Sequence, residues 1–267
     1  KIFHIKNDAK SIWDIFRQNG YHTEVFINGY GKEDPIKEIA EFLLSDCTYI
    51  VSDDDEFSYE FEKIVTKKFV AYILENVGHI AYEGERIQKR IRIQERYVTR
   101  YIEVDKTVGK IVEILEKSGH LQDTVIILYG DHGDSLYSHG LHGGYMHAIP
   151  PYHEIIHCPL ICKIPNEEAR IESKLLCTKD IRELLLNFAR GKFYFEIPER
   201  QYVFSRNLYV NQPLNRNTLE KSYGVTNSEY TLLVTRNGLE MYINAIDYTN
   251  QNNILEFFQL KKGKLTF

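Results

Sequence analysis

Asp131 and His132 stand side by side in the run Tyr129-Gly-Asp-His-Gly-Asp-Ser-Leu-Tyr-Ser-His-Gly-Leu-His-Gly-Gly-Tyr-Met-His147. His139, His142 and His147 follow them. A carboxylate beside an imidazole offers oxygen and nitrogen donors to a divalent cation at the hard-to-borderline end of the scale. Such an ion polarises a phosphoryl or sulfuryl oxygen and lowers the pKa of a nucleophile. A lone histidine is most often a satisfied core or surface residue. In a chain with ten histidines, this concentration favours a site.

The elements around the pair are those that place ligands at a sheet edge. Thr124 to Tyr129 is a strand with no polar alternation, and Asp131 leaves its carboxyl end, where open α/β sheets bind their ligands. Glycines on both sides let the backbone turn and approach a ligand closely. A helix over 94–117 precedes the strand, with Val98, Ile102, Val108, Ile111, Val112 and Leu115 at helical spacing and a stop at Ser118-Gly119. Asp105 falls on that apolar face and is expected to be a buried, hydrogen-bonded carboxylate. Phe69 to Leu74, a continuous apolar run, is expected to be a central strand buried on both faces. Strand, helix and strand at this spacing imply a parallel crossover and an α/β sheet covered on both sides.

Further helices are expected at 10–19, capped by Ser11, at 35–44, from Phe57 to Lys67 and from Thr178 to Ala189. Strands are expected at Val25–Ile27, Cys47–Val51 and Leu160–Ile164. The run from Asp53 to Glu56 reads as a solvated loop or helix start. Composition shifts near residue 195. Short strands at Tyr202–Ser205, Ser222–Val225, Tyr230–Thr235 and Leu239–Ile243, the last two joined by Asn237-Gly238, predict a small antiparallel sheet followed by a helix near Ile254–Leu260. This organisation gives an α/β domain over 1–195 and a small subdomain over 196–267.

Composition closes several routes. The 267 residues are 43% apolar with a net charge of −5, so nothing suggests a nucleic-acid surface. Basic residues between Lys89 and Arg100 alternate with Ile91, Ile93 and Tyr97, the pattern of a wet helix face. No run of eighteen apolar residues exists to span a membrane, and no signal peptide is visible. Cys47, Cys158, Cys162 and Cys177 form no CxxC pair and argue against a disulfide framework or a zinc site.

Several stretches together resemble the sulfatase branch of the alkaline phosphatase superfamily. Leu121 to Asp134 is similar to the pattern in which an Asp-Thr pair and an apolar strand lead into Asp-His-Gly-Glu. Tyr152-His-Glu-Ile-Ile-His-Cys-Pro-Leu-Ile161 resembles a Tyr-x-Glu segment running into Val-Pro-Leu-Ile. Gly20-Tyr-His-Thr23 resembles a GYxT after the first helix, and Phe69 to His79 a strand ending in histidine. Glu240-Met-Tyr-Ile and Asn253-Ile-Leu resemble a degraded C-terminal ELYDL…DPxExxNL signature. The fragments stand in the family's order.

The resemblance implies an alkaline-phosphatase-like, mostly parallel sheet flanked by helices on both faces, with a small C-terminal antiparallel sheet. It implies that Asp131 and His132 bind a divalent metal ion (Ca, Mn, Mg or Zn) and that His79 contacts the ester or its transferred group. His142 or His147 would match the residue that steadies the non-bridging oxygens; spacing favours His147, and the Leu-His-Gly context favours His142. The family's nucleophile and the acidic pair completing its metal site lie upstream of GYxT, and Lys1 to Asp8 offers neither. Both are expected upstream of Lys1.

The activity implied is metal-dependent hydrolysis of sulfate esters. Alternatives are a phosphodiesterase, a phosphonate hydrolase or a phosphoethanolamine-type transferase, or a non-catalytic relative that binds anions through its histidines. The partner in each case is an anionic ester or headgroup: a sulfated or phosphorylated sugar, a lipid headgroup or a small molecule.

Overall fold

The computed structural model describes residues 11–28, 48–52, 54–75, 90–135, 150–207, 221–235, 238–244 and 253–255. The helix expected over 35–44 and the chain beyond residue 255 lie outside them. Two compact units emerge, residues 1–125 with 163–167 and 182–195, and residues 126–162 with 168–181 and 196–267. No described helix is long and apolar enough to cross a membrane.

In the first unit, α1 (Ile12–Gln18) starts at Ser11, whose Oγ accepts the Asp14 N–H while Asp14 accepts the Ser11 N–H. This reciprocal capping box satisfies two of the helix's orphan donors. Strand β1 (His22–Asn28) follows, with β2 (Thr48–Ser52) and β3 (Phe69–Glu75) parallel on either side of it. The middle of this sheet is therefore β1, buried from Thr23 to Asn28, whereas β3 is only half-buried. The expected central strand over 69–74 is corrected accordingly. An unbroken apolar run signals burial but not rank within a sheet.

Alternation along β1 sorts its side chains to two faces. Val25 and Ile27 meet Trp13, Tyr72 and Leu74, while Phe26 points the other way, onto α2 (Asp54–Ile64). There its ring lies edge-on to Phe57 and Phe61, at 5.2 and 6.0 Å between centroids. Helices thus cover both faces, as the apolar strands required.

Helix α3 (Arg90–Lys117) buries Thr107, Ile114 and Leu115. Val98, Ile102 and Asp105 are exposed. The expected buried carboxylate at Asp105 is thus a solvated one. Of the expected apolar face, Leu115 is buried and Val108, Ile111 and Val112 are half-buried, so the face packs only over its C-terminal turns.

In the second unit, β4 (Ile126–Tyr129) pairs with β5 (Leu160–Lys163), so among the described residues β3 and β4 do not share a sheet across α3. Between them lies the single turn α4 (His153–Ile156). Helix α5 (Thr178–Ala189) is followed by the antiparallel strands β6 (Val203–Asn207), β7 (Ser222–Thr226), β8 (Tyr230–Thr235) and β9 (Gly238–Ile243), in that order across the sheet. Arg200 fastens the approach to this sheet. Its guanidinium donates to Asp180 at 2.6 Å and to the Cys177 sulfur at 2.9 Å.

The inner face of the antiparallel sheet carries small residues at the point where α4 is approached. A Cβ on Gly224 would lie 2.6 Å from Ser205 Oγ and 3.2 Å from the Pro151 ring. The Tyr152 and Tyr242 rings meet edge-on at 6.4 Å. The two halves of the degraded C-terminal signature also touch, since Met241 N–H donates to Asn253 Oδ1 and Ile254 N–H to the Met241 carbonyl.

Among the described glycines, Gly133 meets the closest backbone. Its N–H donates to the Ile155 carbonyl at 2.8 Å, and a Cβ there would lie 2.0 Å from the Glu154 carbonyl oxygen. Gly130 N–H donates to the Pro159 carbonyl at 3.1 Å. The two best family motifs are therefore hydrogen-bonded to each other. Gly133→Ala should destabilise the fold by about 1–3 kcal/mol, because backbone rather than a flexible side chain must yield. Gly109→Ala, in mid-helix with nothing within 4 Å of the added Cβ, should instead stabilise by up to about 1 kcal/mol. Thermal denaturation of the two variants checks the contrast. Phe26→Ala, which empties the space between Phe57 and Phe61, should cost about 3–5 kcal/mol by the same measurement.

Candidate metal centre

Strand β4 ends at Tyr129, and the chain turns through Gly130 into Asp131 and His132. The Asp131 side chain is 80% exposed and that of His132 36%, so both are open to a solute. Asp131 Oδ1 accepts the His132 backbone N–H at 3.0 Å, which holds the carboxylate against the turn. His132 Nδ1 lies 3.1 Å from the Gly133 carbonyl. A carbonyl can only accept, so Nδ1 carries a proton, and a ring with that single proton presents its lone pair at Nε2.

That Nε2 lies 3.7 Å from Asp131 Oδ2, too far for a hydrogen bond. An ion about 2.0–2.4 Å from each donor would fit between the two atoms. The donor set thus suits a divalent cation, with a backbone carbonyl orienting the imidazole from its far side, the usual arrangement for a metal-binding histidine. Among the described residues no group of three His, Cys, Asp or Glu side chains converges. His79, His139, His142 and His147 lie outside the described residues.

Behind the turn stands the segment from Tyr152 to Pro159. Burial, with the charge of His157 adding to it, pushes the His153 imidazole down to about 4, against a smaller opposing pull from Glu154. The His153 and His157 rings stand 4.7 Å apart. Burial also pushes the Cys158 thiol up to about 11, with the negative charge of Asp131 contributing. Cys158 therefore remains a thiol at neutral pH, inert as a nucleophile. Cys158, Cys162 and Cys177 are all free.

Sequence reasoning passed over His153 and His157, taking them as part of a family-like stretch. Their spacing of four residues around a helical turn was the available signal. It also passed over Asn28 and Glu75 in the first unit. These sit at the carboxyl ends of β1 and β3, paired in register, with Asn28 Nδ2 donating to Glu75 Oε2 at 3.2 Å. Only long-range strand pairing brings these two together, and no local pattern announces it.

The sulfatase family profile matches residues 3–182. A solved protein of glycosaminoglycan metabolism in Bacteroides thetaiotaomicron superposes with a TM-score of 0.67 at 15% identity, covering 97% of this chain and 75% of its own. A protein solved with its substrate D-glucosamine-2-N,6-O-disulfate gives 0.61 at 15% identity, with 96% and 80% covered. The phosphonate monoester hydrolase of Agrobacterium radiobacter gives 0.65 at 14% identity, with 97% and 79% covered. At such identities the structures establish a shared α/β fold, and the profile match extends over most of the chain, including Asp131 and His132. The chain belongs to the sulfatase family.

Proposed function

We propose that this chain is a divalent-metal-dependent hydrolase of sulfate esters, with a sulfated sugar as its substrate class. The observation that carries the reading is the pairing of Asp131 Oδ2 and His132 Nε2 at 3.7 Å on an exposed turn at the end of a strand. Ca, Mn, Mg and Zn are all compatible with one carboxylate and one imidazole. When bound, the cation polarises a sulfuryl oxygen and favours the ionised nucleophile.

The chain's own residues hold and orient. Asp131 supplies charge, and His132 supplies a lone pair aimed by its contact with Gly133. Gly133, clamped to Ile155, keeps both side chains on one turn. His79 contacts the group being transferred. One of His142 and His147 faces the non-bridging oxygens, where an imidazolium neutralises developing charge or protonates the leaving oxygen. The sulfated-sugar assignment draws on the disulfated glucosamine bound by one structural relative.

A second reading, hydrolysis of phosphonate or phosphodiester bonds, is favoured by Asp-His at the strand end and by the similarity to a phosphonate monoester hydrolase. The two differ only in the tetrahedral centre attacked. Turnover of an aryl sulfate, compared with the matching aryl phosphonate and phosphodiester, separates them. Our reading predicts a higher kcat/KM for the sulfate; a preference for either phosphorus ester would transfer the assignment.

Asp131→Ala and His132→Ala should each remove the bound metal and lower turnover by more than about a hundredfold. Metal analysis of the purified variants, run beside the assay, checks both. His79→Ala should keep its metal and lose kcat by about a hundredfold or more. Full metal content in Asp131→Ala would show that the cation is held elsewhere.

A further inference from the structure

We infer that His153 and His157 form a separate cation site, a two-imidazole chelate for a borderline divalent ion such as Cu2+ or Zn2+. Residues four apart on a helical turn project from the same side of it. Here the turn is closed by the His157 N–H donating to the His153 carbonyl at 2.8 Å, which fixes the spacing of the two Cα atoms. The two ring centroids lie 4.7 Å apart, with the ring planes tilted by 39°.

The wider sequence supports the same reading. His153-Glu154-Ile155-Ile156-His157 has the His-Glu-x-x-His spacing with which zinc enzymes hold their metal on one helix face. In those enzymes the glutamate serves as a general base. Here α4 is a single turn with the Glu154 backbone pressed against Gly133, so the chelate alone is proposed. His157 is exposed and gives the ion an entry from solvent, while His153 is half-buried and fixed by its surroundings. An imidazole that is already neutral at pH 7 has no proton to shed on binding.

Donor chemistry distinguishes this pair from Asp131 and His132. Two imidazoles select Cu, Ni and Zn over Ca and Mg, whereas a carboxylate draws the preference toward harder ions. Among the described residues no third His, Cys, Asp or Glu completes the set, so waters fill the remaining positions and the affinity is below that of a four-ligand zinc site. A bound ion would also stiffen the turn whose Ile155 carbonyl holds Gly133. The site is independent of the sulfatase reading.

Electron paramagnetic resonance of the full, tag-free, metal-stripped chain titrated with Cu2+ tests the proposal. The tightest-bound Cu2+ should show hyperfine coupling to two imidazole nitrogens, and Zn2+ should displace it. His157→Ala, a substitution at an exposed position, should weaken that Cu2+ by at least about tenfold, and His157→Gln should do the same. Asp131→Asn should leave it unchanged. A tight Cu2+ signal that survives both His157 variants, or one that disappears in Asp131→Asn, would overturn the proposal.

Discussion

The candidate centre depends on one close approach, that of Gly133 to the backbone of Glu154 and Ile155. The Gly133 N–H is bonded to the Ile155 carbonyl, and the Glu154 carbonyl occupies the space a side chain would need. Only glycine permits this contact. Because of it, the Gly133 carbonyl is held where it accepts from His132 Nδ1, and the imidazole is committed to presenting Nε2. A backbone hydrogen bond thereby selects the tautomer of a candidate metal ligand. The carboxylate of Asp131 is constrained on the same turn by the His132 N–H.

The rest of the second unit supports that contact from behind. The segment from Tyr152 to Pro159 is bonded to the Asp131 turn at both of its ends, through Ile155 and Pro159. It is packed in turn on the antiparallel sheet, where Gly224 makes room for Pro151 and Tyr242 meets Tyr152. A tail that reads as a separate small subdomain is therefore a buttress for the segment that clamps the site. Its inner face mixes the small buried residues Ser222, Gly224, Thr226 and Thr231 with the buried Leu233 and Tyr242. The Thr226 and Thr231 hydroxyls are hydrogen-bonded to each other at 3.2 Å on that face.

Legibility in the sequence followed the range of the interactions involved. Helix α5 ran over the expected residues, and the four strands of the tail appeared within a residue or two of their predicted bounds, because local periodicity and turn chemistry define them. Asp131 and His132 were visible because strand, glycine and donor pair are adjacent in the chain. The rank of β1 within its sheet was not visible. Its neighbours β2 and β3 arrive from tens of residues away, and His22 and Glu24 interrupt its apolar pattern. The exposure of Asp105 was not legible, because helical spacing groups residues on one face without saying over which turns that face meets a partner. His153 and His157 went unnoticed as a pair because the surrounding family-like stretch accounted for them already.

Anomalous diffraction from crystals of this protein grown with Mn2+ would test the central claim most directly. The account predicts a peak between Asp131 Oδ2 and His132 Nε2, within coordination distance of both. A peak whose coordination shell excludes Asp131 would contradict it.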